Sequence, residues 1–299
     1  MNANPKCPPR RRVIPIALTA VLVILALIAF DSRLLVRRYT VDAQEIGSAV
    51  RIALVTDLHS CYYGEGQSAL IGALDSEKPD LVLLGGDIFD DVIADTNTAQ
   101  FLAGIADRYP CYYVTGNHEY WSGAVSCARK MQILADNGIS VLSDTGTLLT
   151  VRGETLYLCG MNDPDVYHIR YDKHSEAEAF LSAQMQSSQV FSQTLTTLSE
   201  SVPDGIYSVL LSHRPEYFDL YRSTAFDLTL CGHAHGGQWR IPGLINGVYA
   251  PHQGILPAYA GGRYEENGTT MIVSRGLAQE TTWVPRIFNR PELVIIDLQ

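Results

Sequence analysis

From residue 50 onward the chain alternates short apolar runs with helical patterns, and most of the runs stop at a residue able to bind a metal ion. The runs cover 50–56, 80–84, 111–115, 155–160, 206–212, 226–231, 270–274 and 293–298. Each is short, rich in β-branched or aliphatic residues and bounded by Gly, Asp, Asn or Pro, which reads as a strand. Helical patterns lie between the early runs at 67–78, closed by Pro79, at 94–108, and at 122–137. The last has Val125, Ala128, Met131 and Leu134 at helical spacing and Gly138 as its stop. Alternation of this kind argues for strands joined by helical crossovers. After Gly138 strands dominate, so a mixed sheet system is expected in place of a simple doubly wound one. Residues 163–203 are less patterned. The stretch is rich in Ser, Gln and Thr but carries Phe180, Met185, Phe191, Leu195 and Leu198. It reads by default as helix covering the core, with a lid over the site as the alternative.

The run ends carry the chemistry. The first leads into Asp57-Leu58-His59, the second into Gly85-Gly86-Asp87 and the third into Gly116-Asn117-His118-Glu119. The fifth ends at His213 and the sixth in Gly232-His233-Ala234-His235. In extended chain, residues i and i+2 project to the same side, so Asp57 and His59 can reach one ion, and His233 and His235 repeat the pattern. Taken singly, an Asp or Asn after a strand is ordinary turn chemistry. Taken together, two Asp, one Asn and four His at one sheet edge form a mixed oxygen and nitrogen ligand set. Such a set suits Mn, Fe, Zn or Co better than Ca or Mg. His168, His174 and His252 have no motif support and read as ordinary polar residues. Tyr62, Tyr63, Tyr120, Trp121 and Trp239 adjoin the motifs, where core packing and substrate flanking are both open to them.

In this order the blocks resemble the signature of the calcineurin-like metallophosphoesterases, from about residue 50 to the C-terminus. Gly232-His-Ala-His-Gly-Gly-Gln238, Ser274-Arg-Gly-Leu277 and Arg286-Ile-Phe-Asn-Arg-Pro-Glu-Leu293 look like its bacterial branch with an N-terminal membrane or export segment. That branch includes phosphodiesterases and enzymes similar to UDP-2,3-diacylglucosamine hydrolases. The resemblance implies that Asp57, His59 and His235 bind one metal and that Asn117, His213 and His233 bind the other. It makes Asp87 the bridge and His118 the catalytic, non-ligand histidine facing the leaving group. Two metals roughly 3.5–4 Å apart can hold a hydroxide for in-line attack on phosphorus. A bridge needs two oxygens, which Asp87 supplies; Asn117 offers a neutral carbonyl oxygen, and His118 can donate a proton to the departing oxygen. Gly85 before Gly86-Asp87 and Ala234 between the last two histidines depart from the common pattern without changing a ligand. The implied fold is α/β (α+β): a four-layer αββα sandwich of two mixed sheets flanked by helices.

The N-terminus differs from the rest. Residues 13–30 form an 18-residue run without a charge, directly after Arg10-Arg11-Arg12. At about 1.5 Å per residue it reaches roughly 27 Å, just short of a hydrocarbon core of roughly 30 Å that snorkelling arginines extend to meet. No small-x-small cleavage site follows Leu27, which favours an uncleaved transmembrane anchor over a signal peptide. The expected organisation is a cytoplasmic basic N-terminus at 1–12, an anchor at 13–30, a juxtamembrane linker at 31–49 and a metallophosphoesterase domain at 50–299. The positive-inside rule places the folded domain outside the cytoplasm; a twin-arginine export signal would give the same side.

Charge narrows the partners. The chain carries a net charge of −10, with 22 Lys plus Arg against 32 Asp plus Glu. Its first 49 residues hold seven basic and three acidic residues, so the remainder stands at −14. A body this acidic lacks the basic footprint for a nucleic-acid backbone, and no nucleic-acid partner is expected. The six cysteines form no CxxC pair and read as small buried hydrophobes. These features point to a dinuclear metal-dependent hydrolase, a phosphodiesterase or pyrophosphatase, acting on a membrane-associated or nucleotide-lipid substrate such as UDP-2,3-diacylglucosamine. The alternatives are an inactive metal-binding scaffold and, with less support, a nuclease on the same fold.

Overall fold

Alternating burial along short strands builds the molecule. A computed structural model describes residues 10–167, 177–279 and 284–299, with side chains in the first helix described from Pro15. The chain runs through α1 (Arg10–Ala29), β1 (Leu35–Val41), β2 (Val50–Val55), α2 (Ser68–Glu77), β3 (Leu81–Gly85), α3 (Thr96–Ile105) and β4 (Cys111–Val114). It continues through α4 (Asn117–Trp121), α5 (Ala124–Asp136), β5 (Ser140–Val141), β6 (Thr145–Val151), β7 (Glu154–Gly160) and α6 (Ala177–Glu200). Then follow β8 (Ser208–Leu211), α7 (Phe218–Tyr221), β9 (Leu228–Cys231), β10 (Tyr249–Ala250) and β11 (Gly254–Ile255). β12 (Gly262–Glu266), β13 (Thr269–Val273) and β14 (Glu292–Leu298) complete the order.

Two six-stranded sheets result, β1-β14-β2-β3-β4-β5 and β12-β13-β9-β8-β7-β6. Both are mixed: β2, β3 and β4 run parallel while β14 is antiparallel to β2, and β7, β8, β9 and β13 run parallel with β6 and β12 antiparallel at the two edges. Successive side chains leave a strand on opposite faces. Ile52 and Leu54 of β2 therefore enter the same core cluster as Leu81 and Leu83, facing Leu158, Val209, Leu211, Leu228 and Leu230 of the other sheet. Ala53 and Val55 point the other way, onto Leu70 and Leu74 of α2 and Phe101, Leu102 and Ile105 of α3. On the far side of the second sheet, Tyr157, Cys159 and Leu210 pack under Phe191, Leu195 and Leu198 of α6 and Phe218 and Tyr221 of α7. The layers read helix, sheet, sheet, helix, as expected. α6 thus covers the core; Phe180 and Met185, and residues 168–176 with His168 and His174, lie outside the described side chains. The five described cysteines are free thiols, four of them buried.

The N-terminal expectations change. The segment 31–49, read as a linker, contains β1, which pairs in parallel with β14 from Leu35↔Glu292 to Val41↔Leu298. Its outward Arg37 and Arg38 obscure the strand pattern, and charges of this kind are how an edge strand avoids pairing with another chain. Arg38 instead forms an ion pair with Glu77 of α2. Among the described residues, no helix is long and apolar enough to cross a membrane. α1 begins in three arginines and contains Pro15. Residues 1–9 lie outside the described chain.

Candidate metal centre

All the strand-end residues singled out in the sequence meet at one edge of the sandwich. Asp57 and His59 follow β2, Asp87 follows β3, and Asn117 and His118 open α4 after β4. His213 follows β8 of the second sheet; His233 and His235 follow β9. The turns are tied across strands, Asp57 N–H to the Gly86 carbonyl at 3.0 Å, His59 N–H to the Asp87 carbonyl at 2.9 Å and Gly232 N–H to the His213 carbonyl at 3.1 Å. They are also strained. Asp57, His59, Asp87, His233 and His235 have φ of 50°, 48°, 51°, 65° and 47°. A non-glycine residue in that region costs about 1–3 kcal/mol, and such residues persist where a site over-determines them.

The side chains converge with lone pairs unspent. Asp57 Oδ2, His59 Nε2, Asp87 Oδ2, Asn117 Oδ1 and His213 Nε2 are buried without a hydrogen-bond partner. Unpaired buried polar atoms are costly, and five at one point demand an explanation. The second ring nitrogens show the design. His59 Nδ1 lies 3.0 Å from Asp90 Oδ2 and His213 Nδ1 lies 2.8 Å from the Gly85 carbonyl. Each partner fixes the tautomer that leaves Nε2 as a free donor to a cation. Ligand atoms of Asp57, His59 and His235 lie within 4.8 Å of one another, and so do those of Asp87, His213 and His233. These oxygen and imidazole donors fit divalent ions of the first transition row.

Asp87 stands between the two groups. Its Oδ2 is 3.7 Å from His59 Nε2 and 3.1 Å from His213 Nε2, so one oxygen faces both groups. Its Oδ1 accepts the His118 amide at 2.9 Å. Asp87 thus turns Oδ2 toward both groups, while the start of α4 donates to its other oxygen. The close packing explains two glycines. A Cβ on Gly116 would lie 2.2 Å from Asp87 Oδ1; one on Gly276, at φ +70°, would lie 2.6 Å from the Asp57 Cβ.

The chain matches the family model for calcineurin-like phosphoesterases over residues 50–237. That decides its kinship. The chain belongs to the calcineurin-like phosphoesterase family. It is similar to the phosphodiesterase YaeI of Escherichia coli, at 26% identity over 74% of this chain and 71% of that protein. A metallophosphoesterase of Aquifex aeolicus is 26% identical over 88% of this chain and 91% of its own length. A Helicobacter pylori metallophosphoesterase is 26% identical over 78% of this chain, which spans 55% of that relative. This calcineurin-like phosphoesterase is accordingly a metal-dependent phosphoester hydrolase that binds divalent metal.

Electrostatics of the phosphoesterase centre separate the histidines. Burial opposes protonation of His213, but the Asp87 charge outweighs it and pushes the imidazole up to about 10. Burial and the charges of Arg214 and His213 hold His233 well below the usual histidine value; burial and His59 do the same for His235. Below about pH 10 the metal-free site therefore stores a proton on His213 that a metal ion must displace. Metal uptake at about pH 8 is expected to release about one proton and to weaken as pH falls. Calorimetric titrations in buffers of different ionisation enthalpy check this; uptake with no proton released would contradict it.

Several supporting residues lack a motif of their own. His118 Nδ1 is 2.7 Å from Asp91 Oδ1, and its ring stands edge-on to His59 at 4.4 Å between centroids. The Glu119 carboxylate accepts the amides of Gly116, Asp87 and Phe89 at 2.8, 3.1 and 3.1 Å. Glu119→Ala would strand those buried donors, and a loss on the order of 3 kcal/mol in denaturant unfolding is expected. Arg214, almost fully buried, pairs bidentately with Asp163 at 2.5 and 2.8 Å. Its Nη1 is 2.7 Å from His252 Nδ1, which lies 3.1 Å from His233 Nε2. His252, read from the sequence as an ordinary polar residue, thus buttresses a ligand. His252→Ala is expected to weaken metal binding by about 10–100-fold in an equilibrium titration. Of the neighbouring aromatics, Tyr63 and Tyr120 are buried while Tyr62, Trp121 and Trp239 are exposed.

Proposed function

We propose that this phosphoesterase holds two divalent ions, from Mn, Fe, Zn or Co, and hydrolyses a phosphodiester or pyrophosphate bond by direct attack of water. The observation that carries this reading is Asp87 Oδ2, orphaned and buried between two ligand groups. Asp57, His59 and His235 would hold one ion, Asn117, His213 and His233 the other, with Asp87 shared. When bound, the pair supplies Lewis-acid activation of water and neutralises phosphoryl charge.

The remaining steps belong to the chain. Asn117 offers a neutral oxygen, so one ion keeps more of its positive charge toward the phosphoryl group. His118 is partly exposed beside the cluster, with Nδ1 engaged by Asp91. That contact leaves Nε2 as the ring nitrogen able to donate to the leaving oxygen. Trp121, at 4.7 Å between ring centroids, limits the rotation of His118.

The substrate in this reading is lipid-linked, in the manner of UDP-2,3-diacylglucosamine, and the domain lies outside the cytoplasm beside a membrane. Support comes from the exposed Ile16, Leu18, Leu22, Ile24 and Leu27 of α1 and from the E. coli relative being a phosphodiesterase. The test compares lipid-linked pyrophosphates in mixed micelles with soluble diesters. A kcat/KM higher on the lipid-linked compounds is expected; cleavage of soluble esters alone would remove the lipid from the proposal.

A further inference from the structure

We infer that the loop 239–256 and the base of α1 together form a docking edge for an anionic lipid bilayer, beside the open side of the metal centre. The loop gathers large apolar side chains that face water. Leu244 and Ile255 are each 79% exposed and Leu256 63%, joined by Ile241 and Tyr249. Contiguous exposed apolar surface on a folded domain marks a place where another phase or partner is met.

These tips are held rather than loose. Ile241 and Ile245 exchange backbone hydrogen bonds at 2.9 and 2.8 Å, which turns Leu244 outward. Val248 donates to the Trp239 carbonyl at 2.9 Å, and Leu256 to the Val248 carbonyl at 2.8 Å, tying the second tip to the first. A fixed apolar tip loses little conformational freedom on insertion, which is the property an interfacial anchor needs.

Position and charge select the bilayer as occupant. Trp239 bridges to Ile287, Arg240 N–H reaches the Ile287 carbonyl at 3.0 Å, and Phe288 N–H reaches the Ala29 carbonyl at 2.7 Å. The apolar loop thus continues into the end of α1, whose side chains from Ile16 to Ile28 are also exposed and apolar. Asn289 on the same segment donates to the carbonyl of the ligand His235 at 2.7 Å, so the edge adjoins the metal site. No acidic residue occurs between Asp227 and Glu265, in a chain of net charge −10. At the base of α1, Arg33 and Arg290 share the single carboxylate of Asp31, at 2.8 and 3.4 Å. An apolar loop free of acidic residues, next to two arginines that share one carboxylate, on an otherwise acidic body, matches the boundary of an anionic leaflet. A second copy of this chain would bring arginine against arginine.

The proposal rests on the phosphoesterase reading only for its purpose, presenting the centre to lipid-linked phosphoesters. Its test follows the fluorescence of Trp239 in full-length protein carrying Trp121→Phe and Trp283→Phe. Vesicles of phosphatidylcholine and phosphatidylglycerol, with or without brominated acyl chains, are the probe. Brominated lipid is expected to quench Trp239. In Leu244→Asp/Ile255→Asp/Leu256→Asp the lipid concentration for half-quenching should rise about 10-fold or more, with bis-p-nitrophenyl phosphate hydrolysis unchanged from the same background. Leu244→Asp alone, at the exposed tip, gives a smaller rise in the same direction if the triple variant does not fold. Sedimentation with vesicles while Trp239 stays unquenched would overturn the proposal, as would undiminished quenching in both variants. Dissociation of a dimer by the substitutions would overturn it too, assigning the face to a second copy. Quenching without any hydrolysis would instead count against the proposed function and leave the docking edge standing.

Discussion

Asp87→Asn is expected to lower kcat for phosphodiester hydrolysis on the order of 10³-fold or more, with folding retained. The substitution is nearly isosteric, so Oδ1 can still accept the His118 amide and the strand end keeps its shape. What is lost is the negative charge on the oxygen that faces both His59 and His213. An amide oxygen in its place holds two cations far less well, and an amide nitrogen there repels them. Several kcal/mol of stabilisation supplied by bound ions corresponds to a loss of that size. Metal content should fall together with turnover, while far-ultraviolet circular dichroism stays unchanged. Wild-type turnover in the variant would show that the shared oxygen is not the organising element.

His118→Ala is expected to cost about 10²–10⁴-fold in kcat on substrates with poor leaving groups, with metal content unchanged. His118 contributes its backbone amide to Asp87, and alanine preserves that contact. Its imidazole is the only part removed. A p-nitrophenolate leaves without protonation, so the loss on bis-p-nitrophenyl phosphate should be much smaller than on an alkyl diester. Equal losses on both substrate types would assign His118 to holding the site together instead.

The residues that converge at the sandwich edge were legible in the sequence because a strand end is a local signal. β2, β3, β4, β8 and β9 are each a short apolar run, and the residue after each run is fixed in space by the sheet. Parallel order then brings those ends to one edge without any knowledge of long-range contacts. β1 was not legible, since Arg37 and Arg38 interrupt its apolar character and its pairing partner lies at the far end of the chain. The buttressing residues were hidden for the same reason. Arg214 meets Asp163 across 51 residues and His233 meets His252 across 19, contacts that no periodicity encodes. Asp90 and Asp91 follow Asp87 closely, yet which of them serves His59 and which His118 depends on the turn geometry.

The most direct test of the dinuclear centre is metal stoichiometry measured together with turnover. Metal-stripped full-length protein would be titrated with Mn²⁺, reading bound ions per chain by elemental analysis and bis-p-nitrophenyl phosphate hydrolysis in the same samples, beside Asp87→Asn. The expected result is no turnover in the stripped protein, full turnover as the second ion binds, and failure of Asp87→Asn to retain both ions. Full turnover in the presence of chelator, or two ions held as tightly by Asp87→Asn as by the unaltered chain, would contradict the account.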